Sequence, residues 1–127
     1  MRLHRRQKLM PAKLSTHVLD TTHGCPAQGM KIELWLIEGE DRTLITSAKT
    51  NADGRTDQPL LAADEMKTGQ YEIIFFAGDY FATKTTALPK IHFLDKVPVR
   101  FGIADAGASY HVPLLCSAWS YSTYRGS

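Results

Sequence analysis

The sequence predicts a mostly β domain, a β-sandwich of seven to eight short strands with one short helix. Several segments alternate apolar and other side chains with a period of two, which is typical of strands that bury one face. Turn signals containing glycine, asparagine and proline separate these segments at regular intervals. The 127 residues are 43% hydrophobic and 22% charged, which suits one globular domain whose core needs no disulfides.

Three strands are expected in the first half of the chain. Residues 14–20 alternate between two faces, one of which carries Ser15, His17 and Leu19. A loop is expected at 21–29, because two glycines and a proline interrupt the pattern there. The next strands are expected at 30–38 and 43–50, with tight turns at 38–41 and 51–54.

The second half combines strands with a little helix. One or two helical turns are expected at 60–67, followed by a strand at 70–77 that is dense in aromatic and β-branched residues. The short helix is expected at 79–88, with Asp79 near its N-cap and Pro89 ending it. The remaining strands are expected at 97–103, 109–116 and 119–124.

Two histidines lie on defined faces of predicted strands. His111 lies within 109–116, on the face opposite the core-facing positions, and His17 has the same placement in the first strand. A single histidine in such a place is usually a structural residue, so the pattern alone leaves a catalytic role open. The outward face of His111 also carries Pro113 and Leu115, and an outward apolar face is typical of an interface. The core-facing positions are Tyr110, Val112, Leu114 and Cys116.

Composition and motif content exclude several function classes. The formal net charge is only +2, without a patch of interleaved basic and aromatic residues, so nucleic acid is not an expected partner. No apolar run approaches the roughly 18 residues of a membrane span, so no membrane is expected either. The histidines are isolated on separate strands, which does not suit a metal site, and no Gly-x-Ser-x-Gly elbow or phosphate-binding glycine loop occurs. Because Cys116 lies on the face opposite His111, a Cys–His nucleophilic pair is not expected.

The chain is expected to form one domain at 13–127, preceded by a disordered basic arm at 1–12. The arm has no apolar segment behind its charges, so it lacks the features of a secretory signal. Cys25 and Cys116 are too few for a disulfide framework and are expected to be reduced thiols. These features favour a cytoplasmic location over a periplasmic or peroxisomal one.

Four separated motifs occur in the order LSTHVLDTTHGCPAQGM, TNADGRTD, YHVPLL and STYRGS. The chain from 14 to 127, which carries them, resembles the 5-hydroxyisourate hydrolases, the transthyretin-related enzymes of urate breakdown. The ending Tyr-Arg-Gly-Ser is the part that distinguishes this family from the hormone-carrying transthyretins.

The resemblance implies a transthyretin-like (prealbumin-like) β-sandwich that hydrolyses 5-hydroxyisourate to 2-oxo-4-hydroxy-4-carboxy-5-ureidoimidazoline in urate (purine) degradation. It implies no cofactor, since amide hydrolysis needs no redox group. It also implies a homotetramer with its sites at the dimer–dimer interface. The positions that match the family's functional residues are His17, Arg55, His111 and Ser127 as catalytic residues, and Tyr124, Arg125 and Gly126 as substrate-binding residues.

Elementary chemistry suggests a role for each group. Attack of water on a cyclic amide needs a base of near-neutral pKa, which is His17 or His111, while the other histidine would hold or protonate the substrate. Arg55 suits the stabilisation of an oxyanion. We expect Ser127 to orient water or substrate and Gly126 to let the chain end bend. The alternative is a transthyretin-like carrier that binds a small hydrophobic ligand in the inter-subunit channel, which needs no titrating pair.

Overall fold

Two four-stranded sheets face each other in the computed structural model, which describes residues 11–127. Residues 1–10, which include His4 and most of the predicted basic arm, lie outside the described residues. In chain order the described elements are β1 (Leu14–Ser15), β2 (Val18–Asp20), β3 (Cys25–Pro26), β4 (Lys31–Glu38), β5 (Asp41–Lys49), a 3-10 turn (Ala63–Glu65), β6 (Gly69–Phe75), α1 (Ala77–Ala82), β7 (Val97–Ile103), β8 (Tyr110–His111), β9 (Leu114–Cys116) and β10 (Tyr121–Thr123).

The first sheet is antiparallel and has the order β5-β4-β6-β7. Its inner face follows the predicted alternation, since Ile32 and Leu34 are fully buried and Leu36 packs partly against the core. The pairing of β4 with β5 shifts between Leu34 and Trp35, so a bulge interrupts this ladder. This sheet supplies one wall of the core.

The second sheet has the order β10-β9-β2-β3 and contains a parallel pair at its centre. β2 runs parallel to β9. The strands that precede them in the chain, β1 and β8, also run parallel to each other. The predicted strand at 14–20 is therefore two short strands, as is the one at 109–116. The register places Ser15 beside His111 and Leu19 beside Leu115. Residues far apart in the sequence thus share one face of the sheet.

The hydrophobic core lies between the two sheets, which confirms the predicted β-sandwich. The alternating positions of the second sheet point inwards, as expected from their period of two. Buried residues of the first sheet meet them from the other side. The core includes Val18, Leu114 and Cys116 from the second sheet, Leu14, Tyr110 and Val112 from the two-stranded β1-β8 sheet and the residues after it, and Ile32, Leu34, Tyr71, Ile73, Phe75, Val97 and Val99 from the first sheet.

The helix begins two residues earlier than the sequence predicts and ends sooner, at Ala82 instead of 88. Its N-cap is Phe76, and Asp79 lies in the first turn, near the N-cap as predicted. The earlier start follows from tertiary packing around Gly78. Its N–H donates to the Asp95 carbonyl over 2.8 Å, and a Cβ there would lie only 2.7 Å from the side chain of Asp95. No helix within residues 11–127 has the length and apolar character needed to cross a membrane.

Candidate functional site

Parallel pairing of β1 with β8 creates the first contact of the candidate site. Ser15 and His111 are register partners, although 96 positions separate them in the chain. The Ser15 Oγ lies 2.9 Å from the Nδ1 of His111. Both side chains are half-buried on the outward face of the second sheet, so this imidazole is held in one orientation while remaining accessible.

The turn at 51–54 positions the second histidine. The Nε2 of His17 donates a hydrogen bond to the Asp53 carbonyl oxygen over 2.8 Å. Because a carbonyl oxygen only accepts, Nε2 carries the proton, and a neutral His17 keeps its lone pair on Nδ1. Gly54 makes this geometry available: its φ is +76°, and a Cβ there would collide with the Val18 carbonyl oxygen.

The same turn fixes the backbone of Arg55. The side-chain oxygen of Asn51 accepts hydrogen bonds from the backbone N–H groups of Asp53, over 2.9 Å, and of Arg55, over 3.1 Å. The Asn51 amide also donates to Asp57 over 3.0 Å. Arg55 is exposed, and its guanidinium makes no hydrogen bond within residues 11–127. Its five donors are therefore available to a ligand.

A hollow of about 170 Å³ lies beside Ser15 and Arg55, and neither histidine is among its lining residues. Its lining includes Lys13, Ser15, Arg55 and Asp57, so two cations and a hydroxyl meet in it beside one carboxylate. The sequence patterns did not indicate Lys13 or Ser15 as site residues. The backbone amide of Lys13 donates to the Ser109 Oγ over 3.2 Å, which attaches this end of the domain to the strand of His111.

The electrostatic field of the site acts on His111. Burial lowers the pKa of His111, and the positive charges of Arg55, His17 and Lys13 lower it further. A lowered pKa keeps this imidazole neutral at neutral pH. The neutral form has one N–H and one lone pair, so it can both donate and accept a hydrogen bond.

The C-terminal segment reaches His111 through Gly126. The Gly126 N–H donates to the His111 carbonyl over 2.7 Å, and a Cβ at Gly126 would lie 2.6 Å from the imidazole Cδ2. Gly126 does not have a positive φ, so its place here does not depend on the left-handed conformation that favours glycine. A glycine is needed because the backbone lies directly against the imidazole. Ser127, the next residue, is exposed and makes no hydrogen bond within the described chain.

Tyr124 and Arg125 do not join the two histidines within one chain. The guanidinium of Arg125 lies 4.1 Å from the ring centroid of Tyr110, and it donates to the Ser109 carbonyl over 3.3 Å. Tyr110 belongs to the face opposite His111, so Arg125 packs at the edge of the sheet. Tyr124 is 60% exposed, and it lines a separate hollow of about 240 Å³ together with Arg125.

His23 lies apart from this site, in a cluster with Asp20 and Tyr80. The Nδ1 of His23 lies 2.6 Å from the carboxylate of Asp20, which also accepts from the Tyr80 hydroxyl over 2.8 Å. Burial raises the pKa of Asp20, but hydrogen bonds from His23 and Tyr80 outweigh it and leave that pKa lowered. His23 is therefore bound to a buried carboxylate. Within residues 11–127, no group of three or more His, Cys, Asp or Glu is placed to hold a metal ion.

Comparison with known proteins gives consistent matches over this whole fold. A model described as the HIUase/Transthyretin family matches residues 14–126, which include His17, Arg55, His111 and Gly126. The 5-hydroxyisourate hydrolase of Pseudomonas aeruginosa is 54% identical over 115 residues, which cover 91% of each chain. The 5-hydroxyisourate hydrolase 2 of Rhizobium meliloti is 56% identical over 115 residues, which cover 91% of this chain and 96% of that protein.

A solved structure agrees with these relatives. The 5-hydroxyisourate hydrolase of Klebsiella pneumoniae superposes with a TM-score of 0.73 at 29% identity. The superposition covers 91% of this chain and 94% of that one, so the similarity extends over both domains from end to end.

Proposed function

This chain belongs to the HIUase/Transthyretin family, and we propose that it hydrolyses 5-hydroxyisourate, opening the ring in urate breakdown. The observation that carries the proposal is the proximity of His17, Arg55 and His111: the charges of Arg55 and His17 act on His111, and Arg55 shares a hollow with Ser15, which is hydrogen-bonded to His111. Two relatives that are more than half identical over 115 residues are named for this activity.

The reaction uses one imidazole as a proton carrier. The oxygen of water bonds to a ring carbonyl carbon while the imidazole takes a water proton. Negative charge then collects on the carbonyl oxygen, where Arg55 and the other imidazole can donate hydrogen bonds. The ring C–N bond breaks, the imidazolium returns its proton to the departing nitrogen, and the new acid ionises to a carboxylate. Water is the only co-reactant, so this step needs no redox cofactor.

The C-terminal segment completes the site in this account. Gly126 lies against His111, and in the proposal Ser127, the next residue, orients water or substrate. Tyr124 and Arg125 bind substrate in the proposal, although within one chain Arg125 packs on Tyr110. They would therefore act at a boundary between subunits, where side chains at the sheet edge meet a neighbouring chain.

We further propose a homotetramer whose dimers meet over the outward face of the second sheet. Leu19 and Leu115 are paired in the register of that face and are half-buried in one chain. Together with Pro26 they line a mostly apolar hollow of about 280 Å³. A face of this kind beside the histidines suits an interface that encloses a small ligand. We place the protein in the cytoplasm, where Cys25 and Cys116 would remain thiols.

The experiment adds the protein to freshly generated 5-hydroxyisourate and follows the ultraviolet absorbance of the substrate. We expect the decay rate to rise in proportion to protein concentration above the spontaneous rate, with many turnovers per chain. A transthyretin-like carrier would bind a small hydrophobic ligand and leave this decay unaccelerated, and that result would remove the hydrolase proposal.

A further inference from the structure

The hydrogen bond between Ser15 and His111 bears on which nitrogen of the imidazole is protonated. The Ser15 Oγ and the His111 Nδ1 are 2.9 Å apart, and neither atom has another hydrogen-bond partner within residues 11–127. A hydroxyl can donate or accept, whereas each nitrogen of a neutral imidazole does only one of these. The direction of this bond therefore decides which nitrogen of His111 faces the site as a donor.

The surroundings of Ser15 favour donation from its hydroxyl to Nδ1. Lys13 and Arg55 line the same hollow, and both groups can only donate, so they can satisfy the lone pairs of Oγ but cannot take its proton. Asp57 also lines the hollow, but it accepts from Asn51 over 3.0 Å and makes no hydrogen bond with Ser15. Within residues 11–127, the Nδ1 of His111 is the one atom hydrogen-bonded to the Ser15 Oγ, so its lone pair is the protein acceptor for the hydroxyl proton.

We propose that Ser15 is a positioning residue that fixes His111 as the tautomer with its proton on Nε2. The Asp53 carbonyl does the complementary task for His17, because it binds the Nε2–H and leaves the lone pair on Nδ1. The two imidazoles therefore offer opposite groups: His17 offers a lone pair and His111 offers an N–H. The Asp53 carbonyl in the turn and the Ser15 hydroxyl in β1 together set this difference.

For the reaction, which rests on the proposed function, this difference assigns the roles. His17 takes the water proton on Nδ1 and returns it to the departing nitrogen. His111 keeps its proton and donates an Nε2–H hydrogen bond to the carbonyl oxygen as charge develops there, beside the guanidinium of Arg55. His17 alone carries the proton from water to the departing nitrogen, so both imidazoles are neutral again after a turnover.

The test measures tautomers directly. In protein labelled with ¹⁵N on histidine, the nitrogen shifts of each imidazole are recorded at a pH well above the ordinary histidine pKa of about 6.5. The signals of His111 are identified by their loss in His111→Gln. We expect Nε2 of His111 to bear the proton and Nδ1 to be unprotonated. A spectrum with the proton on Nδ1 of His111 would overturn the proposal without any variant of Ser15.

Variants of Ser15 provide the second measurement. Ser15→Ala should mix the two tautomers of His111 and lower kcat about tenfold, the equivalent of one lost hydrogen bond, with little change in KM. Ser15→Thr keeps the hydroxyl and should restore both the tautomer and the rate. Ser47→Ala, on the exposed side of β5, is the matched control and should change neither. An unaltered His111 spectrum in Ser15→Ala would contradict the proposal.

The two proposals fail in different ways. If the wild-type spectrum shows the expected tautomer but the protein does not accelerate the decay of 5-hydroxyisourate, the assignment of Ser15 stands and the proposed function falls. If the protein hydrolyses the substrate but His111 has its proton on Nδ1, the proposed function stands and the role of Ser15 falls.

Discussion

Gly126 and His111 are in direct contact: the Gly126 N–H donates to the His111 carbonyl over 2.7 Å, and the Gly126 Cα lies against the imidazole. A Cβ at position 126 would lie 2.6 Å from the imidazole Cδ2, which is closer than such atoms approach. The C-terminal segment is therefore packed on a proposed catalytic group, and the orientation of that group depends on having no side chain at this position.

Gly126→Ala tests this contact. The added methyl group must displace either the chain end or the imidazole, and a displacement of about 1 Å can cost up to a hundredfold in rate. We expect kcat to fall by this order while the melting temperature hardly changes, because Gly126 contributes no core burial. Gly107→Ala is the control, since its Cβ would meet only the Asp105 side chain, at 3.3 Å. Unchanged hydrolysis by Gly126→Ala would show that the contact has no catalytic importance.

Arg55→Lys tests the need for a forked cation. Lysine keeps the charge but loses the planar set of donors, so an oxyanion would lose its second hydrogen bond. We expect a loss of about two to three orders of magnitude in kcat. Arg42→Lys is the matched control, because Arg42 pairs with Glu72 on the other sheet. Near-wild-type kinetics for Arg55→Lys would mean that Arg55 supplies only a diffuse positive field.

The titration of His111 should respond to Lys13. Burial lowers the pKa of His111, and the charges of Arg55, His17 and Lys13 add to this effect. Removing one positive charge favours the protonated imidazole, so Lys13→Gln should raise the pKa of His111. The NMR titration of His111 should then move to higher pH than in the wild type.

The measurement is an NMR titration of His111 in each protein. Lys49→Gln, which removes an exposed charge from β5, should leave the titration curve in place. A curve that stays fixed, or moves to lower pH in Lys13→Gln, would exclude Lys13 from the field at His111.

Leu115→Glu tests the proposed interface. The side chain lies on the outward face beside Leu19, and a carboxylate buried there between subunits would be costly. We expect the tetramer to dissociate and hydrolysis to be lost together. Leu44→Glu changes an exposed leucine of β5 in the other sheet and should affect neither property. Sedimentation that finds an intact and active tetramer for Leu115→Glu would place Leu115 outside the interface.

Part of the site could be derived from the sequence, and part could not. The period of two correctly put His17 and His111 on outward faces, because core burial of Val18 and Leu114 fixes the strand faces. His17 and His111 are close together because segments 96 positions apart pair in parallel, and no local pattern specifies that pairing. The role of Ser15 follows only from this register.

Other features could not be predicted from the sequence, because they involve backbone atoms or tertiary packing. The partner of His17 is the carbonyl oxygen of Asp53. Every residue has a backbone carbonyl, so the sequence does not indicate which one is the partner. The helix starts two residues earlier than predicted because Gly78 contacts Asp95, and no local pattern specifies that contact. The need for glycine at 126 likewise comes from the imidazole against it rather than from its own dihedral angles.

The central claim is that His17 and His111 act together to hydrolyse 5-hydroxyisourate. The most direct test compares the ultraviolet decay of the substrate with wild type, His17→Ala, His111→Ala and the double variant, with melting temperatures recorded for each. We expect each single variant to lose about two to four orders of magnitude in rate. Because the pair acts as a unit, the double variant should be about as slow as the worse single one. A folded double variant that hydrolyses the substrate at nearly the wild-type rate would contradict the account.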